Sequence, residues 1–325
     1  MLRTYKSAGV DIERGDRFVS FIQGMKSPAI PDNLGAFAGA VDLDWKRFQD
    51  PVLLNTCDGV GTKLLVAKKL NRYDTIGIDL VAMCANDLIV CGVKPLAFQD
   101  YIACGRITNK VLQPVMRGIV KGCELAECLL TGGETAELPD MYARDDFDLA
   151  GFCSGVGERT NLLPKKKSIS EGDLVWGLPS SGIHSNGISL ARKILQDEKE
   201  LEEMLTPTKI YVHEMNPLIE SGLVLAAAHV TGGGLIANLK RVIPRELAPS
   251  IDFNWPRPWI FDRIQECGEI AEDEMRKVYN LGIGIALVVS AATEDEFDSL
   301  LKARGITALR LGRLQGNRGE PGGTH

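Results

Sequence analysis

A β-rich run that leads straight into a charged glycine loop restricts the fold of this chain more than any other feature. Residues 51–55 favour a strand, and the chain continues as Cys57-Asp58-Gly59-Val60-Gly61-Thr62-Lys63. The two glycines let the backbone approach oxygen atoms closely, and Lys63 adds a mobile positive charge. The segment predicts a phosphate-binding loop, although an ordinary tight turn explains it equally well. It lacks the Walker pattern of a P-loop.

Composition and charge exclude several classes of partner. The chain has 325 residues, of which 45% are hydrophobic and 25% charged, and this is sufficient for two globular domains. The net charge of −6 provides no basic field for nucleic acid. We find no secretory signal and no apolar run of about 18 residues, so we expect a cytoplasmic protein without a membrane partner. The eight cysteines form no Cys-x-x-Cys pair, which argues against structural zinc.

The chain divides between residues 160 and 172, where a lysine run and a Ser-x-Ser-x-Gly stretch interrupt both hydrophobic periods. We place the boundary so that the domains cover residues 1–164 and 165–325. Each half contains a strand, a glycine loop and helices, without a clear residue-level repeat. The expected fold class is therefore α/β (α+β) with two α/β domains.

Hydrophobic periodicity predicts the main elements. Helices are expected from Asp79 to Cys91, from Val111 to Leu129, from about Ser185 to Leu195 and from Glu214 to Ala228. Strands are expected over 95–103, 148–156, 173–178 and 285–290. Thr293 and Glu296 have the spacing of a capping box ahead of a last helix.

Three oxygen-bearing side chains lie on one predicted helix. Asn86 follows Asp79 by seven residues, so both share nearly one helical face, and Asp87 is adjacent. The interval spans roughly 10 Å at about 1.5 Å per residue, which suits a triphosphate with its Mg²⁺ ions. Asp79 could instead be a simple helix cap, but a cap does not explain Asn86 and Asp87 in an otherwise apolar helix.

Three further glycine-rich segments carry polar groups. Residues 131–137 follow a predicted helix and would place Glu134 on a flexible turn, where it could bind Mg²⁺ or be an incidental acid. Residues 180–187 run from a strand into a helix and have the form of an anion site, as do residues 231–234. Capping and turn formation explain both loops as well. His184 lies inside its loop, whereas His213 and His229 are interpreted as structural and His325 is terminal.

Taken together, these segments resemble the phosphoribosylformylglycinamidine cyclo-ligase family, also called aminoimidazole ribonucleotide synthetases. The resemblance covers nearly the whole chain. It is carried by residues 5–12, 58–63, 77–88, 132–142, 150–153, 180–187 and 229–234. Seven segments in family order are far more specific than any one short glycine motif. The chain departs from the family pattern at Gln23 and at residues 33–39, so no catalytic role is assigned to the N-terminal segment.

The resemblance implies an enzyme that uses ATP and Mg²⁺ to close the imidazole ring of formylglycinamidine ribonucleotide in purine biosynthesis, releasing ADP and phosphate. It also implies an N-terminal ATP-binding domain with a mixed sheet, a C-terminal domain that completes the cleft, and a homodimer joined through the N-terminal sheets. ATP would phosphorylate the amide oxygen, and a substrate nitrogen would then expel phosphate. Lys63 would offset charge during this transfer.

The same resemblance assigns roles to individual positions. ATP contacts are expected from Asp58, Gly59, Gly61, Thr62, Lys63, Asp79, Asn86, Gly132 and Gly133. Substrate or phosphate contacts are expected from Ser181, Gly182, Ser185, Asn186, Thr231, Gly232 and Gly233. The expected metal ligands are Asp58, Asp87 and Glu134, and the expected catalytic residues are Lys63, Asp87 and His184. His184 would move a proton during ring closure, because an imidazole titrates near neutrality.

Two alternatives stay open. A small-molecule kinase or a selenophosphate synthetase would share the ATP site, but the segments 139–142 and 184–187 favour the cyclo-ligase. A nucleotide-binding maturation protein would hold ATP without turnover. The acidic residues at positions 58, 79, 87 and 134 argue against that second alternative.

Overall fold

A computed structural model describes residues 4–317, which form two sheets with helices packed against them. The helices are α1 (Ile12–Gln23), α2 (Lys63–Leu70), α3 (Ile76–Ile89), α4 (Asn109–Leu125), α5 (Ile188–Ile194), α6 (Glu198–Met204), α7 (Val212–Glu220), α8 (Gly234–Val242), α9 (Trp259–Gly268), α10 (Glu272–Val278) and α11 (Glu294–Arg304). The strands are β1 (Pro51–Gly59), β2 (Lys94–Cys104), β3 (Leu129–Glu137), β4 (Phe147–Glu158), β5 (Leu174–Pro179), β6 (Val224–His229), β7 (Leu247–Ile251), β8 (Ile283–Val289) and β9 (Leu309–Gly316).

The first sheet is mixed and has the order β1-β4-β2-β3. β4 pairs antiparallel with both β1 and β2, whereas β2 and β3 are parallel. Side chains on one face pack against α3 and α4. On the opposite face, large apolar side chains of Leu53, Tyr101 and Phe152 are exposed. The first sheet is therefore covered on one side only by the described chain.

The second sheet is antiparallel throughout and has the order β6-β8-β5-β9-β7. All seven residues of β8 are buried, and from Ile285 to Val289 they alternate between two hydrophobic clusters. Ile285 and Leu287 belong to the larger cluster, whereas Ala286 and Val288 belong to the smaller one. Because the side chains of a strand point alternately to opposite faces, both faces of this sheet are covered.

Helix α3 is the central element of the molecule. Twelve of its fourteen residues are buried, including the polar residues Asp79 and Asn86. It packs against α4 and the first sheet, and it also contacts α7 and β6 of the second half. The larger hydrophobic cluster is continuous across both halves. The polar side chains of α3 therefore lie at the junction between the halves.

The predicted class of two α/β domains, with a mixed sheet in the first, is confirmed. The strands predicted over 95–103, 148–156 and 285–290 are also present, as β2, β4 and β8. The boundary after residue 164 stays a prediction; the two sheets occupy residues 51–158 and 174–316. His325 lies outside the described residues. Within those residues, no helix is both long and apolar enough to span a bilayer.

Four local predictions were wrong. Residues 131–137 are not a turn after a helix but part of β3, because α4 ends at Leu125. The helix expected over 214–228 ends at Glu220, and the remaining apolar residues form β6. Asp79 does not begin its helix, since α3 starts one turn earlier at Ile76. Thr293 precedes α11 but makes no capping hydrogen bond with its side chain.

The crossing of α3 and α4 depends on a glycine. A Cβ at Gly77 would lie 2.2 Å from both the Ile119 nitrogen and the Val115 oxygen, which are backbone atoms. We expect Gly77→Ala to lower the free energy of unfolding by about 1–3 kcal/mol or more, because the two helices must separate. Urea denaturation measures this loss.

Gly15→Ala is the matched control, because a Cβ on this helical glycine would meet only Ile107 Cδ1, at 4.0 Å. Alanine should there be neutral or stabilising by up to about 1 kcal/mol. Equal stabilities for the two variants would show that the helix crossing tolerates a methyl group.

Candidate active site

Loops from the two halves meet at the end of β1. Residues 60–62 connect β1 to α2, and the Thr62 hydroxyl lies 2.8 Å from the Ser189 hydroxyl at the start of α5. The loops 180–187 and 231–234 also adjoin each other, since a Cβ at Gly232 would lie 3.6 Å from Asn186 Oδ1. The structure therefore brings together three of the four predicted loops.

Lys63 and Asp79 form a fully buried ion pair between these loops. The Lys63 ammonium donates to Asp79 Oδ1 at 2.8 Å and to the Thr206 carbonyl at 2.7 Å, and both side chains are 0% exposed. Burial lowers the pKa of Lys63, and the charge of Asp79 opposes that shift. The prediction of a mobile lysine is wrong, because the ammonium is enclosed by protein atoms.

Asp79 binds the second half of the chain through one oxygen. Its Oδ1 accepts hydrogen bonds from both the backbone nitrogen and the hydroxyl of Thr208 at 2.7 Å, and from Ser185 at 3.3 Å. Its Oδ2 is buried without a hydrogen-bond partner among the described residues. Asp79 therefore joins the halves. We predicted that its side chain would face a triphosphate, but the side chain is buried inside the protein.

Asn86 has the same kind of role nearly two turns further along α3. Its amide nitrogen donates to the Lys209 carbonyl at 2.8 Å, and its oxygen accepts from the Tyr211 backbone nitrogen at 3.0 Å. The side chain is completely buried. The shared helical face was predicted correctly, but the face meets the segment 206–211 and not a nucleotide.

Asp58, Asp87 and His229 form the polar cluster that remains accessible. Asp58 is the second-last residue of β1 and accepts a hydrogen bond from the Gly59 nitrogen at 2.7 Å. Asp87 is 45% exposed on α3, and its Oδ1 lies 2.9 Å from His229 Nδ1 at the end of β6. Burial raises the pKa of Asp58, and the negative charge of Asp87 adds to this effect. Two carboxylates that repel each other favour a bound cation.

His229 was interpreted as structural, yet its ring contacts Asp87, a predicted metal ligand. Its Nε2 lies 3.5 Å from the Asn86 amide nitrogen. The only signal in the sequence was its position two residues before the glycine loop 231–234. That spacing places it at the end of a strand, beside the loop.

His184 is buried and does not face the accessible cluster. Its Nε2 accepts a hydrogen bond from the Ser181 nitrogen at 3.2 Å, and its Nδ1 is buried without a partner among the described residues. Burial lowers its pKa well below 6.5, so the ring is neutral near pH 7. Both ring nitrogens are enclosed by protein atoms, and the proton-transfer role of His184 stays a prediction.

The loops of the second half are held by two asparagines. The amide nitrogen of Asn280 donates to the Gly182 and Ile183 carbonyls, at 2.9 and 3.1 Å. The Asn238 amide nitrogen donates to the carbonyls of Gly232 and Gly234, at 3.2 and 2.9 Å. The Ser181 hydroxyl donates to Pro207 O and is used within the protein. Gly187 and Gly233 have positive φ angles, and each immediately precedes a helix.

Glu134 lies away from Asp58 and Asp87. It is on β3, three positions from β1 in the sheet order with β4 and β2 between them, which corresponds to about 14 Å at ~4.8 Å per strand. The predicted metal set of Asp58, Asp87 and Glu134 is therefore not assembled. Over residues 4–317, no three His, Cys, Asp or Glu side chains are grouped to hold a metal by themselves.

Gly132, Gly133 and Glu134 instead line a cavity of about 280 Å³ between α1 and the first sheet. Asp100 on β2 lines the same cavity, and a Cβ at Gly133 would lie 2.4 Å from its Oδ1. Burial raises the pKa of Asp100 to about 7, and the charge of Glu134 adds to the shift. Sequence reasoning missed Asp100 because a single acid inside an apolar strand carries no motif.

The arrangement fits Mg²⁺ bound together with phosphates. Mg²⁺ is usually held by one or two carboxylates, with the remaining positions taken by water and substrate phosphates. Asp58 and Asp87 provide two such carboxylates beside glycine loops. The backbone nitrogens of those loops suit phosphate oxygens.

Comparison with known proteins identifies the class. Residues 38–157 match the N-terminal domain, and residues 170–321 the C-terminal domain, of the family described as AIR synthase related protein. The structure of a hydrogenase maturation protein, HypE, in complex with ATP has a TM-score of 0.67 to this chain. It is 16% identical and covers 93% of this chain and 86% of its own, so it shows the fold alone.

Two curated relatives define the family more closely. A phosphoribosylformylglycinamidine cyclo-ligase of Myxococcus xanthus is 44% identical, over 98% of this chain and 97% of the relative. The human trifunctional purine biosynthetic protein adenosine-3 is 45% identical, over 88% of this chain and 30% of that protein. The chain belongs to the phosphoribosylformylglycinamidine cyclo-ligase family, as the resemblance predicted.

The buried ion pair makes a testable contribution to stability. Asp79→Ala should lower the free energy of unfolding by about 3–5 kcal/mol, because it leaves the Lys63 ammonium buried without its partner. Urea denaturation followed by circular dichroism measures the effect.

Glu202→Ala is the matched control, since it breaks the Arg72–Glu202 pair, whose side chains are almost half exposed. An exposed pair contributes about 1 kcal/mol or less. A similarly small loss for Asp79→Ala would mean that the buried pair does not join the halves.

Proposed function

We propose that this chain is the ATP-dependent enzyme that converts formylglycinamidine ribonucleotide to aminoimidazole ribonucleotide, with release of ADP and phosphate, in purine biosynthesis. The observation that supports this most strongly is the cluster of Asp58, Asp87 and His229 at the meeting point of glycine loops from both halves. The full-length similarity to cyclo-ligases agrees with it.

ATP supplies the phosphoryl group that makes the substrate's amide oxygen a leaving group, and Mg²⁺ offsets the charge of the phosphates. Asp58 and Asp87 would hold the metal ion. The backbone nitrogens around Gly59 and Gly61 would orient phosphate oxygens, as would those of residues 231–233. The His229 imidazole would fix the position of Asp87 through the 2.9 Å contact.

Lys63 would support this site without contacting the ligand. Its ammonium binds Asp79 and the Thr206 carbonyl, and its backbone begins α2 immediately after the glycine loop. It would therefore hold the loop in place without touching phosphate. The cavity lined by Asp100 is separate from the proposed metal ligands. It would be the place where Gly132, Gly133 and Glu134 act.

A kinase on the same fold is the closest rival, and the products distinguish the two. We expect one free phosphate and one ADP per turnover, without a phosphorylated organic product, because the internal nitrogen attacks at a high effective molarity. With ¹⁸O in the formyl oxygen, the label should appear in phosphate. Label retained in an organic product would support the kinase.

The same assay tests the site. Asp87→Asn should lower kcat by about 10²-fold or more, since it removes a metal-binding charge from an accessible side chain. Glu266→Gln on the exposed face of α9 is the control and should leave turnover unchanged. Normal turnover in Asp87→Asn would place the metal elsewhere.

We further propose a homodimer formed by the exposed face of the first sheet. Leu53, Tyr101 and Phe152 project from β1, β2 and β4 on this face, and Leu53 is 61% exposed. An apolar sheet face of this kind is typical of a protein contact. A second copy of the chain would cover this apolar face, in the two-fold symmetric arrangement that most oligomers have. A cytoplasmic location stays a prediction.

Phe152→Asp should convert the dimer to a monomer, because it introduces a charge at the centre of the contact. Light scattering at micromolar concentration measures the mass. Leu125→Asp is the control, since Leu125 is an equally exposed leucine at the end of α4. A wild-type monomer, or a Phe152→Asp dimer, would reject this interface.

A further inference from the structure

A second polar cavity, of about 550 Å³, lies at the edge of the first sheet where β2 and β3 end. Its volume is within the range of small-molecule sites. Arg14 from α1, Arg106 after β2 and Arg144 after β3 line it, together with one acid, Asp140. None of these residues belongs to the cluster around Asp58.

Arg14 is held in one orientation by buried acids. Its Nη1 donates to Glu137 Oε1 at 2.7 Å, and its Nη2 donates to Asp11 Oδ2 at 3.1 Å. Glu137 also accepts from the backbone nitrogens of Asp11 and Ile107, at 2.8 and 2.9 Å. The N-terminal segment, α1 and the end of β3 are thereby fixed around the cavity, so this wall is formed before any ligand binds.

Arg106 and Arg144 form no ion pair with another residue in the range 4–317. The remaining arginines described before residue 160 each contact an acid or an aromatic ring. Those arginines are Arg14, Arg17, Arg47, Arg72, Arg117 and Arg159. The two unpaired guanidinium groups thus line one cavity beside Arg14, and unlike Arg14 neither is offset by an ion pair within the described residues.

The loops that carry these arginines are in direct contact. A Cβ at Gly105 would lie 2.1 Å from the Ala143 carbonyl oxygen, so only glycine lets the loop after β2 reach the loop after β3. Gly9 has a φ of +101°, and its Cβ would lie 2.9 Å from Pro139 Cβ. Three chain segments converge here, and the contacts place Arg106 and Arg144 on adjoining loops.

We propose that Arg14, Arg106 and Arg144 bind the 5′-phosphate of the ribonucleotide substrate. The inference rests on the proposed function, since the substrate named there is a phosphate monoester. Guanidinium groups bind phosphate oxygens with paired hydrogen bonds, and the two unpaired groups, Arg106 and Arg144, offset the charge of about −1.5 to −2 on a terminal phosphate. β1 and β2 both pair antiparallel with β4, so they run in the same direction. The cavity and the Asp58 loop therefore lie at the same edge of the sheet.

The test compares the ribonucleotide with its ribonucleoside, which lacks the phosphate. Arg106→Ala and Arg144→Ala should each raise the KM for the ribonucleotide by about tenfold to a hundredfold, the size of a hydrogen bond to a charged group. The KM for ATP should not change. The kcat/KM for the ribonucleoside should be the same in wild type and variants, because that substrate never uses the arginines.

Arg17→Ala is the matched control, as Arg17 lies one turn after Arg14 on α1 and is 61% exposed. It should leave all three constants unchanged. An unchanged KM for the ribonucleotide in the double variant Arg106→Ala/Arg144→Ala would overturn the proposal. A raised KM for ATP with an unchanged KM for the ribonucleotide would also overturn it, because the cavity would then bind the nucleotide.

A direct binding measurement separates this inference from the proposed function. If wild type fails to turn over formylglycinamidine ribonucleotide, the proposed function fails, and calorimetry with ribose 5-phosphate still tests the cavity. Binding by wild type and Arg17→Ala, with loss in the double variant, would support a phosphate monoester site. Equal binding by the double variant, or none by wild type, would reject it.

Discussion

The buried contact between Lys63 and Asp79 determines how the two halves of this chain can be arranged. Removing both charges from water costs several kcal/mol per ion, so the pair is stable only when every nearby polar group is oriented toward it. Thr206, Thr208 and Ser185 of the second half provide that orientation. A rotation of one half against the other would break these hydrogen bonds from the second half, and the buried pair, which lies within the first half, would lose the groups that compensate its desolvation. The cleft is therefore built around a contact that tolerates little displacement.

Helix α3 extends this constraint to the accessible site. Asp79 and Asn86 are bound to the second half, and Asp87 follows Asn86 directly, so its carboxylate is held where β6 delivers His229. A helix advances about 1.5 Å per residue and is stiff over this length. The position of the proposed metal ligand is consequently fixed by buried neighbours that never meet the ligand. An exposed acid on a helix without such buried contacts would not be held in one position.

The sequence predicted loops and strands well, but it predicted the burial of individual side chains poorly. Glycine loops after strands are local features, and three of them meet as expected. The burial of Lys63 depends on Thr206, 143 positions away, and the ring of His184 packs against Tyr211 outside its own loop. Residues 131–137 formed β3 because pairing with β2 outweighed the turn preference of two glycines. No local pattern contains that information.

The two proposed sites also differ in whether a local sequence motif reveals them. Asp58 and Asp87 were found from motifs because a phosphate loop requires glycine close to charge, whereas Arg14, Arg106 and Arg144 lie 92 and 38 positions apart without a common pattern. They converge because β2 and β3 are parallel, so that the loops at the ends of both strands leave the sheet at one edge. Glu137 then adds α1 to this edge by binding Arg14. The topology of the first sheet thus determines where these arginines meet. They meet at the same edge of the sheet as the glycine loop that follows β1.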